Sequence, residues 1–154
     1  VKSKKNLYLI LNIVVKTLYG INFIILGAYS GTITQAIGLV ITIVAYMYTK
    51  KDKTVSKVLT AIFIIATLIG GFITYNNIYS LMAIGCGITY ALIVASKNMK
   101  NIRKLNLIQA FLWIIYNFVV SAYTASISSV FVFVSTLIAI FRYDILKKQS
   151  SEKV

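Results

Sequence analysis

The sequence predicts an all-α fold, a polytopic bundle of six transmembrane helices, on three observations. Three apolar blocks are each long enough for two spans, short basic clusters separate them, and the apolar runs are continuous. A span needs about 20 mostly apolar residues, whereas barrel strands alternate apolar and polar positions. Apolar residues make up 59% of the chain and charged ones only 12%, against roughly a quarter in soluble domains. The length of 154 residues fits a single integral membrane domain over 1–154.

The elements follow from where each block breaks. Leu7 to Thr49 carries one charge, Lys16, and breaks at Tyr29-Ser30-Gly31-Thr32, which predicts helices over 7–28 and 32–49. Val58 to Ser96 is uncharged and breaks at Tyr75-Asn76-Asn77, giving 57–75 and 78–96. Leu105 to Phe141, also uncharged, breaks near Tyr123-Thr124-Ala125, giving 105–122 and 126–146.

Charge sets the orientation. Lys2, Lys4 and Lys5 precede the first helix, and Lys50, Lys51, Lys53 and Lys57 with Asp52 follow the second. Lys97, Lys100, Arg103 and Lys104 follow the fourth, while Arg142, Lys147, Lys148 and Lys153 with Asp144 and Glu152 close the chain. The three intervening turns are uncharged. Alternation of this kind predicts a multi-pass protein of the bacterial cytoplasmic (inner) membrane with both ends of the chain in the cytoplasm. The net charge of +13 is therefore loop charge beside a lipid bilayer. Nucleic acid is not an expected partner, because that needs a continuous basic face.

An internal repeat is also expected. Asn22-Phe23, an apolar run and Ala28-Tyr29-Ser30-Gly31 recur as Asn117-Phe118, a run one residue shorter, and Ala122-Tyr123-Thr124-Ala125. Two ordinary turns drawn from a small alphabet are the plain alternative. Matching helices one and two to five and six makes the repeat parallel, with 1–49 a partial first unit, 57–75 a connector and 78–146 a complete second unit. The start at Val1, together with the unmatched helix four, predicts one further helix upstream.

The chain resembles the YgjV-type bacterial inner-membrane proteins, grouped with the PQ-loop, or MtN3/SWEET-like, superfamily. The residues that carry the resemblance are Trp113-Ile114-Ile115-Tyr116-Asn117-Phe118, Ala122-Tyr123-Thr124, Ile140-Phe141-Arg142-Tyr143-Asp144 and Leu26-Gly27-Ala28-Tyr29-Ser30-Gly31. It implies parallel three-helix repeats with a connecting helix, and its sugar-transporting relatives imply movement of small solutes. Two departures limit that implication. The chain has no Pro, hence no Pro-Gln hinge, and it has Ser129 where members of the family often carry a carboxylate.

Candidate site residues come from polar groups inside the spans. Lys16 is the one ionisable residue deep in a span, which marks a functional candidate. Snorkelling back to the cytoplasmic interface is the alternative, and the one favoured here. Asn22 and Asn117, placed as repeat mates, could hydrogen-bond a polar solute, or merely tie helices together. Gln35 with Ser129, and Thr42 with Thr136, are further mates. Trp113 and Tyr116 suit stacking on a ring-shaped solute, or plain apolar packing.

Ala83, Gly87, Ala91 and Ala95 form a small-residue stripe for close packing, within the chain or in a homo-oligomer. Tyr29, Tyr75, Tyr79 and Tyr123 mark the outer interface. Cys86 reads as a small packing residue. Leu7 to Tyr29 is too long for the apolar region of a signal peptide.

No phosphate loop, metal-ligand spacing or catalytic acid pair stands out, so the sequence predicts no enzyme, no cofactor and no metal. Its leading functional reading is a small-solute carrier. A non-transporting assembly or structural protein is the alternative.

Overall fold

The computed structural model describes residues 2–51 and 55–146. Asp52, Lys53, Lys147, Lys148, Glu152 and Lys153, counted among the loop charges above, lie outside the described residues. Six α-helices follow in order: α1 (Lys2–Ile25), α2 (Tyr29–Lys50), α3 (Lys57–Ile73), α4 (Ser80–Ala95), α5 (Met99–Val119) and α6 (Tyr123–Ile140). A single π-helical stretch, Phe141–Leu146, ends the described chain where a continuous helix was expected. Among the described residues there is no strand. The protein is an all-helical membrane bundle.

Tyr29–Lys50 and Tyr123–Tyr143 are long and apolar enough to cross a bilayer by themselves, and shorter apolar helices cover Leu9–Ile25, Lys57–Ile73 and Ser80–Ala95. α5 starts at Met99 rather than near 105. The Asn98 side chain caps it, accepting from the Lys100 N–H at 2.9 Å, so the helix is already wound before its apolar stretch begins. Ser56 caps α3 in the same manner, accepting from the Leu59 N–H at 3.2 Å.

The turns at the uncharged ends of α1 and α5 share one geometry. The Ala28 N–H donates to the Phe23 carbonyl at 2.8 Å, and the Ala122 N–H to the Asn117 carbonyl at 2.8 Å. Gly27 and Ser121 hold the left-handed conformation at φ 67° and 60°, and the following Ala28 and Ala122 have φ −86° and −83°. Such a residue with positive φ is a common helix stop because it lets the last carbonyls find donors. Gly27 thus corresponds to Ser121 with no residue missing between them and the preceding helices. Aligned on these turns, without the one-residue gap of the sequence comparison, Phe23 stands opposite Asn117 and Asn22 opposite Tyr116.

α4 is the helix that joins the bundle, packing against α2, α3 and α5. Its small residues allow this. A Cβ on Gly87 would come within 2.5 Å of Thr67 Cγ2, and one on Gly71 would run into Ile84. Ala83 and Ala91 are buried and Ala95 half-buried. The stripe therefore packs inside the chain, and the homo-oligomer contact expected through it is corrected: its central residues are not available to a second copy.

Hydroxyls inside the spans are mostly satisfied locally. Thr34, Thr67 and Thr136 each donate to the carbonyl four residues back, at 2.9, 2.8 and 2.7 Å. Where water is absent such bonds remove the penalty of a bare polar group. Between chain segments, the Ser30 hydroxyl donates to the Thr74 carbonyl at 2.6 Å and lies 3.0 Å from the Ser80 hydroxyl, which ties α2 to the α3–α4 turn.

Gly71→Val should lower stability by about 1–3 kcal/mol, since Ile84 must leave its place. Ser121→Gly should leave stability unchanged or raise it by up to about 1 kcal/mol, because glycine adopts positive φ at no steric cost. Reversible unfolding in mixed micelles measures both.

Candidate functional site

A half-open cavity of about 360 Å³ lies between α1, α2, α4, α5 and α6. Its lining is polar for a site inside apolar helices. α1 contributes Asn12, Lys16, Tyr19 and Phe23, and α5 contributes Asn106, Gln109, Trp113 and Asn117. α2 adds Gln35, α4 adds Tyr90, and α6 adds Ser128, Ser129 and Thr136. At the separation that carries Gly27 onto Ser121, Asn12 falls on Asn106, Tyr19 on Trp113, Phe23 on Asn117 and Gln35 on Ser129. Four matched pairs thus face one space.

Lys16 is partly buried, and its ammonium does not run back to the basic end of α1. Nζ sits 3.7 Å from the centre of the Tyr90 ring. The stem lies along Gly38, where a Cβ would stand 2.9 Å from Nζ and 3.4 Å from Cε. Gly38 is in the middle of α2, so the snorkelling expectation is corrected: the notch left by the missing side chain holds the lysine inside the bundle. Thr42 donates to the Gly38 carbonyl at 2.7 Å. Its proton is thereby committed, so the Tyr90 hydroxyl, 2.7 Å away, donates to Thr42. That bond fixes the ring beneath the ammonium, and a cation–π contact of this kind is worth about 2 kcal/mol when desolvated. No Asp or Glu falls within the six α-helices.

Two amide oxygens of residues that line the cavity have no partner. Gln35 Oε1 and Asn117 Oδ1 are buried and make no hydrogen bond. Asn117 is held by its nitrogen, which donates to the Ser129 hydroxyl at 3.2 Å. Ser129 gives its own proton to the Ala125 carbonyl at 2.8 Å, so it can only accept from Asn117, and the Asn117 oxygen is left as the free acceptor. A buried carbonyl without a donor costs about 1–3 kcal/mol. The site keeps two.

Phe23, Trp113 and Tyr116 form one aromatic cluster. Phe23 stacks on Trp113 with ring centres 5.7 Å apart and 11° between planes, and both meet Tyr116 edge-on. Tyr116 is buried, and its hydroxyl accepts from the Gly31 N–H at 2.7 Å. A Cβ at Gly31 would lie 2.8 Å from that hydroxyl. Tyr116 therefore locks α5 to the start of α2 and is not free to stack on a solute.

Of the expected site residues, Lys16, Gln35, Trp113, Asn117 and Ser129 meet in the cavity. Asn22 does not: it is half-buried and lines neither this cavity nor the smaller one of about 330 Å³ at the uncharged turns, where Tyr116 is found. Asn12, Tyr90, Asn106 and Gln109 were missed. Asn12 and Asn106 carry the matching spacing and would have emerged from an ungapped comparison of the two halves. Cys86 is buried and free, as expected of a packing residue.

A family model described as "Imp-YgjV: Bacterial inner membrane protein" matches residues 1–147. The chain belongs to this family. Imp-YgjV membership makes the bundle a protein of the bacterial inner membrane, so its exposed Ile25, Ile73 and Phe131, at 78%, 78% and 70%, are lipid-facing surface. No curated protein and no solved structure matches the chain.

Tyr116→Phe should cost about 1–2 kcal/mol, since the buried Gly31 N–H loses its acceptor. Unfolding of the purified variant in mixed micelles, compared with wild type, gives the value, and an unchanged midpoint would show that the Gly31 N–H finds another acceptor.

Proposed function

We propose that this Imp-YgjV protein is a small-solute carrier whose site is the central cavity. The observation that carries the reading is the pair of unpartnered amide oxygens, Gln35 Oε1 and Asn117 Oδ1, buried without a donor on side chains that line the cavity. Structural bundles satisfy their buried polar groups, whereas a binding site holds acceptors ready for a ligand. At about 360 Å³ the cavity is at the small end of ligand sites.

The α1–α2 and α5–α6 hairpins are read as parallel repeats, with α3 the connector and α4 the first helix of the second unit. Their identical turns and the matched pairs in the cavity support this, and so does the resemblance to the PQ-loop and SWEET-like proteins. In the same reading the basic ends of the helices face the cytoplasm, because Lys50, Lys51, Lys57 and Lys97 gather at one end and the opposite turns carry no charge. The role is non-enzymatic. The small-residue stripe that favoured an assembly role is used within the chain.

The test is uptake by the full chain reconstituted in liposomes, across sugars, amino acids and organic acids. Saturable uptake of at least one polar solute is expected, reduced about tenfold by Asn117→Leu or Gln35→Leu and unaffected by Asn22→Leu. Absence of uptake for every solute, or wild-type rates in both cavity variants, would sink the carrier reading.

A further inference from the structure

The carrier reading leaves the class of solute open, and Lys16 narrows it. We propose that the cavity takes a small hydroxycarboxylate, a monoanion whose carboxylate pairs with the Lys16 ammonium and whose hydroxyl donates to one amide oxygen of the lining. This rests on the carrier reading for the place of binding, but the chemistry comes from the lining itself.

Three features of the cavity lead there. Lys16 brings a full positive charge to the middle of the bundle, held over Tyr90 and against Gly38. No Asp or Glu falls within the helices that form the cavity. A charge in so apolar a place is costly until a counter-charge arrives, and no side chain of these helices can supply one. An anionic solute can.

The second feature is the pair of orphan acceptors. Gln35 stands one helical turn from Gly38, and hence from the ammonium, on the same helix. Asn117, on α5, has its nitrogen bound to Ser129 and its oxygen buried beside the cavity without a donor. Acceptors require a donor on the ligand, which excludes a bare carboxylate or halide as the best fit. A hydroxyl beside the carboxylate meets that need.

Charge balance supplies the third. One lysine and one monoanion give a neutral site. An amino acid zwitterion would add an ammonium with no carboxylate to receive it and leave the net positive charge in place. A phosphate dianion would leave a net negative one. The hydroxycarboxylate balances the charge and brings a donor for one of the two acceptors.

The experiment uses the full chain in phosphatidylcholine vesicles with radiolabelled lactate, competed by unlabelled lactate, by its neutral isostere lactamide, by glycerol and by glycine. Lactate is expected to bind roughly 10- to 100-fold more tightly than lactamide, the range for a hydrogen bond to a charged group. Lys16→Met is expected to abolish that preference while the protein elutes as a single folded species. Should that variant fail to fold, the wild-type ratio of lactate to lactamide decides alone. Equal binding of the two, or binding of glycerol or glycine in preference to lactate, overturns the anion assignment and leaves the carrier reading standing. Lactate binding without uptake keeps the assignment and removes the carrier reading. Binding that disappears when phosphatidylglycerol is added means that a lipid headgroup takes the cation, which overturns the soluble solute. No binding of lactate at all overturns the proposal outright.

Discussion

Everything in this bundle depends on how closely α4 can approach its neighbours. Gly71 and Gly87 leave room for Ile84 and Thr67, and without that room α4 could not pack against α2 and α3 while also meeting α5. In lipid there is no hydrophobic gain from bringing apolar helices together, so close van der Waals packing of small residues has to hold them. The cavity is a consequence. Once α4 spaces α2 from α5, the inward faces of α1, α5 and α6 are left around a volume that their side chains do not fill.

The polar residues divide into two populations under the same constraint. Most hydroxyls close onto a carbonyl of their own helix and have nothing left to offer. Around the cavity the hydroxyls of Ser128, Ser129 and Thr136 also close onto their own helix, and it is the amides of Gln35 and Asn117 that leave capacity unused. Thr42 and Tyr90 illustrate the economy: a single chain of donation from Tyr90 through Thr42 to the Gly38 carbonyl positions an aromatic face under a cation. The site is thereby shaped by second partners rather than by the lysine alone.

The membrane class, the number of helices and the uncharged turns were legible in the sequence because hydropathy and loop charge are strong, redundant signals. Helix starts within charged segments were not. α5 begins at Met99 because Asn98 can cap it, a local effect that a count of apolar residues does not register. The site was half legible. Lys16, Gln35 and Asn117 stood out as polar residues in apolar runs, but Asn22 was paired with Asn117 by aligning letters, and backbone geometry puts Phe23 there instead. Tyr90 and Asn106 lie nearer the basic ends of their helices, where polar residues arouse no suspicion, whereas Gln109 sits at the midpoint of α5.

Gly38 has one more consequence. The lysine keeps its position only because a neighbouring helix has nothing at that point, so the information that places the charge is divided between two residues that are distant in sequence. Alanine at position 38 would displace the ammonium as surely as a change to the lysine itself. A side chain gained at position 38 takes the ammonium's place, and loss of the lysine leaves the notch without its occupant.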